Sequence, residues 1–148
     1  MPSFQMQLIT IPLILTEIPP KGMHIFVKGK IQRKRVRFLL DTGASKSVID
    51  TGFADQAFPH ARRQQTEHLT TGLGANIPNA TFIRLHHIKM GDHKLRPITF
   101  ALLDLSVVND AYSAADLDPV VAIIGGDILS KYDAIINYGE KTLQMRAN

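Results

Sequence analysis

The sequence predicts a mostly-β fold with one or two short helices. Short segments rich in β-branched and apolar residues follow one another closely, with Gly, Pro or Asn between them, which is typical of hairpins. The chain has 148 residues, of which 45% are hydrophobic, and this is enough for one domain with a core. We therefore expect one domain over 1–148, with an amino-terminal extension at 1–20 and a polar insertion at 106–119.

The strands can be placed in order along the chain. In the first half, Pro19 and Pro20 end the first extended segment, and Pro59 stops a helical turn. In the second half, we expect a helical turn within the polar insertion and a short helix after Gly126. The predicted strands cover 8–17, 23–31, 36–40, 47–49, 81–90, 95–105, 121–124, 134–137 and 142–146, and the first helical turn lies within 50–58.

The third strand ends in the sequence Phe-Leu-Leu-Asp-Thr-Gly-Ala-Ser, which begins at Phe38. Its apolar residues indicate a strand that enters the core, and the residues after Asp41 indicate a sharp turn that leaves donors near the acid. A carboxylate at the end of a buried strand loses solvation, so it needs hydrogen bonds or a chemical role. The alternative is a turn aspartate that only satisfies neighbouring amides.

A second stretch, from Val121 to Leu129, reads Val-Ala-Ile-Ile-Gly-Gly-Asp-Ile-Leu. The continuous apolar run predicts a buried strand, and the two glycines allow the backbone to turn. Asp127 then lies at a predicted helix amino terminus, where a negative charge is favoured.

Together these two stretches resemble the retropepsin-like aspartic proteases, a family of single-domain acid proteases of the retroviral type. The resemblance covers about 23–145 and implies a closed or partly closed acid-protease barrel. It also implies an aspartic endopeptidase with Asp41 as the catalytic acid. Thr42 would hydrogen-bond across a twofold axis, Gly43 would offer its amide to the carboxylate, and Ser45 would bond the acid from its outer side, with Ala44 between them.

The resemblance also implies a flap over the substrate. Gly72, Leu73 and Gly74 lie in a glycine-containing stretch flanked by strand-like sequence, where the family has this mobile hairpin. As a pattern on its own, the stretch also fits an ordinary turn.

Metal-free peptide hydrolysis by this chemistry needs two carboxyl groups that share one proton and activate a water molecule. The longer sequence Asp-Thr-Gly-Ala-Ser occurs once, at 41–45, and a second Asp-Thr-Gly, at 50–52, lacks the Ala-Ser that follows the first. We therefore expect Asp41 of a second subunit to supply the other carboxylate in a homodimer with closed twofold symmetry. The expected partner is a peptide or protein substrate in an extended conformation, with no cofactor. The alternative is a catalytically silent binding module with the same fold.

Positive charge is concentrated in the hairpin at 28–37, within a formal net charge of +4. The favoured interpretation is a solvated face of the hairpin, because no aromatic or motif context accompanies the charge. Binding of nucleic acid through Arg33, Arg35 and Arg37 is the alternative. We expect no nucleic acid partner.

Several other classes of site are disfavoured. The chain has no cysteine, which excludes disulfides, thiolate metal sites and cysteine nucleophiles. The six histidines are scattered, and His86 and His87 would point to opposite faces of a strand, so no metal site is expected. The apolar run at 9–15 is too short to span a bilayer and no Lys or Arg precedes it. We expect no membrane contact and a cytoplasmic protein.

Overall fold

The structure, a computed structural model, describes residues 7–20, 22–65 and 80–147. The mostly-β prediction is confirmed. The strands are β1 (Gln7–Pro12), β2 (Ile14–Ile18), β3 (Gly22–Ile31), β4 (Lys34–Leu40), β5 (Val48–Asp50), β6 (Arg63–Gln64), β7 (Phe82–Leu85), β8 (Ile88–Met90), β9 (His93–Leu95), β10 (Ile98–Leu103), β11 (Ala122–Ile124), β12 (Ile135–Asn137) and β13 (Thr142–Ala147). The helices are α1 (Thr51–Ala57), α2 (Ser106–Ala114) and α3 (Gly126–Lys131).

A long hairpin leads into the turn at 41–43, called the Asp-Thr-Gly turn below. Strands β3 and β4 pair antiparallel, and Gln32 at the tip adopts a left-handed conformation with φ 55°. Alternate residues of β4, namely Val36, Phe38 and Leu40, belong to the main hydrophobic core. Since side chains alternate along a strand, the odd-numbered residues of β4 lie on the outer face of the sheet.

The hairpin belongs to a large sheet that curls into a half-barrel. Its strand order is β6-β7-β10-β5-β11-β4-β3-β8-β9, and β2 pairs with β3. Strand β11 runs parallel to β4 and antiparallel to β5. This arrangement joins the two stretches that the sequence singled out, because Ile124 pairs with Leu40 and both strands then turn at the same end.

A second sheet closes the core from the other side. Strand β13 lies between β1 and β12 in the order β1-β13-β12. Its buried residues Leu143 and Met145 join Ile9 and Ile11 of β1 in the main core. The strands nearest the two ends of the chain are therefore paired with each other within one molecule, from Gln7↔Ala147 to Pro12↔Thr142.

Three of the predicted strands are each interrupted in the structure. The segment at 8–17 breaks at Leu13, whose amide donates to the carbonyl of Lys141, so β1 and β2 enter different sheets. The segment at 81–90 breaks before β8, where His87 has φ 58°. The segment at 95–105 is interrupted at 96–97, between Leu95 of β9 and Ile98 of β10, where Pro97 has no amide to donate to a neighbouring strand.

The described residues contain three helices, whereas the sequence predicted one or two. The nine-residue α2 occupies the polar insertion. Its Tyr112 and the preceding Leu105 pack on Phe26 and Leu39, on the outer face of the sheet, and form a second hydrophobic cluster.

Asp50 couples the starts of two helices, because its carboxylate accepts from the amides of Phe53 in α1 and Leu105 before α2. Within the described ranges, no helix is long and apolar enough to cross a membrane.

Candidate active site

Asp41 follows the last residue of β4, at the end where β11 also finishes. Its amide donates to the carbonyl of Ile124 over 3.0 Å, which extends the pairing of the two strands by one residue. Its side chain is exposed and accepts a hydrogen bond of 3.0 Å from the amide of Gly43. The turn after Asp41 therefore orients the carboxylate, while the strand pairing fixes its backbone.

The turn is packed closely against the junction of β11 and α3. The amide of Ala44 donates to the carbonyl of Asp41, and the carbonyl of Ala44 accepts from the amide of Gly126 over 2.7 Å. A Cβ on Gly125 would lie 2.6 Å from the oxygen of Ala44, closer than a side chain can approach. The absence of a side chain at Gly125 is what lets the two segments meet.

A buried serine joins the same two segments. Ser47 is fully buried, and its hydroxyl donates to Asp127 over 2.8 Å and accepts from the amide of Gly125 over 2.9 Å. The amide of Ser47 also donates to Asp127. Lys46 supplies the opposite charge, with its Nζ 3.4 Å from the Asp127 carboxylate. Asp127 therefore ties the segment after the Asp-Thr-Gly turn to α3.

Asp41 and Thr42 lie in a cleft of about 660 Å³. Its walls come from the β2–β3 hairpin, the end of β4, β11, the turn after β12, and α2. Most of the lining is apolar, and Val107 and Val108 of α2 face it together with Tyr138. Among the described residues that line the cleft, Asp41 is the one carboxylate.

A polar pair lies in the wall opposite the turn. The hydroxyl of Tyr112 and Nδ1 of His24 share a hydrogen bond of 2.7 Å. Burial raises the pKa of the Tyr112 hydroxyl above its ordinary value; the positive charge of Arg37 opposes this shift and the negative charge of Asp41 adds to it. The guanidinium of Arg37 lies 4.5 Å from the ring centre of Phe26. The Asp41 end of β4 and the inner side of α2 are therefore electrostatically coupled.

A sequence profile of the aspartyl protease family matches residues 27–128. The match spans Asp41, Gly125 and Asp127 and covers well over half of the chain. The chain belongs to the aspartyl protease family. No curated protein sequence matches it significantly.

Two solved structures share the fold. A retropepsin-like aspartic protease from Rickettsia conorii has 17% sequence identity and a TM-score of 0.54, over 99% of this chain and 97% of that one. The retroviral protease-like domain of Ddi1 from Leishmania major has 16% identity and a TM-score of 0.52, over 81% and 86%. The suspected retropepsin-like family and the acid-protease fold are thus confirmed.

The structure gives each predicted site residue within the described ranges a definite position. Thr42 lines the cleft beside Asp41, and Gly43 donates to the acid. Ala44 contacts α3 through its backbone, and Ser45 is exposed at the bend. Their predicted roles stay predictions. The flap candidates Gly72, Leu73 and Gly74 lie outside the described residues. Within the described part of the chain, no group of three His, Asp or Glu side chains is placed to hold a metal ion.

Sequence reasoning did not identify the links that hold the site together. Ser47 looked like the start of a strand, and Asp127 looked only like a favourable charge at a helix terminus. The pairing of β4 with β11 brings them together from positions 80 residues apart. A small hydroxyl residue just after the Asp-Thr-Gly turn and an acid just after two glycines were the available signals. His24 and Tyr112 carried no comparable signal.

Proposed function

We propose that this protein is a homodimeric aspartic endopeptidase that hydrolyses peptide bonds with an activated water molecule. Asp41 of each subunit supplies one carboxyl group. Two carboxyl groups in contact share one proton, because two like charges cannot both ionise at that distance. One group takes a proton from the water while the other donates one to the peptide, and the pair titrates as a unit.

The observation that carries this proposal is the exposed, oriented carboxylate of Asp41 in an apolar cleft. A single copy of the cleft offers one carboxylate among the described residues. The second Asp-Thr-Gly of the chain begins at Asp50, whose carboxylate accepts from the amides of Phe53 and Leu105 and does not line this cleft. A twofold-related copy completes the pair, because the same residue then approaches itself across the axis.

The edge of β12 is the surface we propose for the dimer. Strand β13 has a neighbour on each side, and β12 lies at an edge of its sheet among the described strands. Ile135 of β12 is 56% exposed, while Ile136 and Tyr138 line the cleft beside Asp41. Pairing of two β12 edges would cover Ile135 and bring the two clefts together. The proposed dimer therefore does not use interleaved chain ends.

The proposed substrate is an extended peptide that lies across the Asp41 carboxyls. Strand-like main-chain pairing would provide affinity, and apolar side chains would fill the space beside Val107, Val108 and Tyr138. Gly72, Leu73 and Gly74 remain our candidates for the flap tip.

The direct test is digestion of a peptide library by wild-type protein and by Asp41→Asn at several pH values. We expect Asp41→Asn to lower kcat/KM by about 10²–10⁴-fold while circular dichroism shows an unchanged fold. Asp116→Asn is the matched control, since Asp116 is exposed and has φ 57°, a conformation that Asn tolerates. Full cleavage by Asp41→Asn would refute the assignment.

The silent binding module makes a different prediction. Sedimentation of wild-type protein would then show a strict monomer at high concentration and mildly acid pH, and no peptide would be cut. For the enzyme we expect a dimer that Ile135→Arg dissociates, because a charge on an edge strand opposes pairing with another edge. Leu8→Arg is the control, since Leu8 is 59% exposed on β1, at the other edge of the same sheet.

A further inference from the structure

Four cationic side chains form a row across four neighbouring strands. Arg35 of β4 pairs with Lys30 of β3, Lys30 pairs with Lys89 of β8, and Lys89 pairs with Lys94 of β9. All four side chains are exposed. Each of the four is followed directly on its strand by a residue of the main core, so all four project from the outer face of the sheet. We call these four residues the cationic row.

The row has no anionic counterpart within the part of the chain that the structure describes. The ion pairs there are Lys46 with Asp127 and Arg63 with Asp55, and neither involves the row. Like charges directly opposite each other disfavour strand pairing, so the row opposes the stability of the sheet that carries it. Such an arrangement is explained if an external anion binds to it.

The row lies on the same side of β4 as the proposed catalytic acid. Arg35, Arg37, Leu39 and Asp41 alternate with the core residues of this strand. Six residues separate Arg35 from Asp41, which is about 20 Å along a strand. Three strand spacings make the row about 14 Å long, enough for four or five residues of extended peptide.

We propose that the cationic row is a docking site for an acidic stretch of the protein substrate, about six or more residues from the scissile bond. The assignment of the ligand as a substrate rests on the proposed function, whereas binding to the row does not. Carboxylates fit better than nucleic acid for two reasons. In the described ranges these four strands expose no Phe, Tyr or Trp for base stacking. A row of about 14 Å would also meet only a few phosphates of a duplex.

Binding is tested without catalysis, on Asp41→Asn protein with fluorescein-labelled octaglutamate as the probe. Fluorescence anisotropy should show binding at low salt that weakens strongly at about 200 mM NaCl, since exposed charge pairs are screened. Lys30→Gln and Lys89→Gln should each raise Kd about two- to fivefold. Lys34→Gln is the matched control, because Lys34 precedes Arg35 on the opposite side of β4 and its replacement removes the same charge.

The second measurement is cleavage, which uses protein that retains Asp41. A peptide that the library digest identifies as cleaved is extended, six residues from its scissile bond, with a run of either Glu or Gln. We expect the Glu extension to lower KM and leave kcat unchanged. Lys30→Gln combined with Lys89→Gln should remove that difference, and Lys34→Gln should preserve it.

Three results would overturn the docking proposal. The first is that octaglutamate does not bind at low salt. The second is that Lys34→Gln loses as much binding as Lys30→Gln or Lys89→Gln. The third is that a short DNA duplex or phosphatidylserine vesicles bind to the row more tightly than octaglutamate does. The two proposals fail separately. Row-dependent octaglutamate binding without peptide cleavage would refute the protease assignment and leave the cationic row as a docking surface for anions. Cleavage with equal KM for both extensions would refute only the docking of the substrate on the row.

Discussion

The contact between Gly125 and the Asp-Thr-Gly turn predicts a sharp difference between two adjacent glycines. A Cβ on Gly125 would lie 2.6 Å from the Ala44 oxygen and 3.2 Å from the carbonyl carbon of Lys46. These are backbone atoms, so no side chain can rotate away. A Cβ on Gly126 would lie 3.5 Å from the same oxygen, an ordinary contact distance.

The cost of Gly125→Ala follows from two effects. Overpacking of a tight site costs about 1–3 kcal/mol. Moving the Ala44 carbonyl away also weakens its 2.7 Å hydrogen bond from the amide of Gly126, which costs about 0.5–1.5 kcal/mol. We therefore expect Gly125→Ala to lower the free energy of unfolding by about 2–4 kcal/mol. Gly126→Ala should be neutral or slightly stabilising, because alanine favours helix and Gly126 begins α3.

Urea unfolding followed by circular dichroism measures both values. For a chain of this length, the expected loss corresponds to a fall in Tm of about 5–15 °C. Gly125→Ala should also reduce peptide cleavage at temperatures where it is folded, because the displaced segment follows Asp41 directly. Equal stability of the two variants, within about 0.5 kcal/mol, would show that the close approach does not constrain the site.

Two further predictions concern polar contacts near the site. Ser47→Ala removes one hydrogen bond to the Asp127 carboxylate and leaves the amide of Gly125 without its acceptor, so we expect a loss of about 2–4 kcal/mol in urea unfolding. Ser45→Ala, at an exposed position, is the control and should stay within about 0.5 kcal/mol of wild type. In a spectrophotometric titration, Tyr112→Phe should remove an ionisation step that lies above the ordinary tyrosine pKa of about 10, because burial raises the pKa of Tyr112. A group whose pKa is raised in the folded state contributes stability that is fully present below its unfolded pKa, about 10 for Tyr. This contribution is lost as pH rises through the folded pKa. The free energy of unfolding of the wild type should therefore fall more steeply in alkali than that of Tyr112→Phe.

Unchanged stability of Ser47→Ala would mean that water replaces its hydroxyl. If Tyr112→Phe removed an ionisation step at the ordinary tyrosine pKa, the result would contradict the burial of Tyr112. Neither result bears on whether Asp41 is catalytic, so these variants separate the architecture of the site from its chemistry.

Local patterns were sufficient to predict the strands around the site. The alternation in β4, the apolar run of β11 and the two glycines after it are each patterns of a few residues. These patterns predict where each strand and turn lies along the chain. Proline had a local effect too, since the break after Pro12 and the late start of β10 after Pro97 both reflect a missing amide donor.

Contacts between distant segments were not predictable in the same way. The Ser47–Asp127 bond depends on the parallel pairing of β4 with β11, which no local pattern specifies. The cationic row is a second example. Arg35 and Lys30 were visible in one hairpin, but Lys89 and Lys94 join them only through the register of β8 on β3. The solvated-face interpretation of the hairpin therefore rested on half of the row.

The register of β4 gives a reason to expect that replacing Asp41 leaves the fold intact. Val36, Phe38 and Leu40 are buried in the main core, while Arg35 and Arg37 project from the other face of the sheet. A slip of one residue would turn every side chain to the other face, burying charge at a cost of several kcal/mol per group. Asp41 is therefore placed by the hydrophobic pattern that precedes it and contributes little to that placement. This is the physical reason to expect that Asp41→Asn keeps its structure, so that a loss of cleavage would report on the carboxyl group itself.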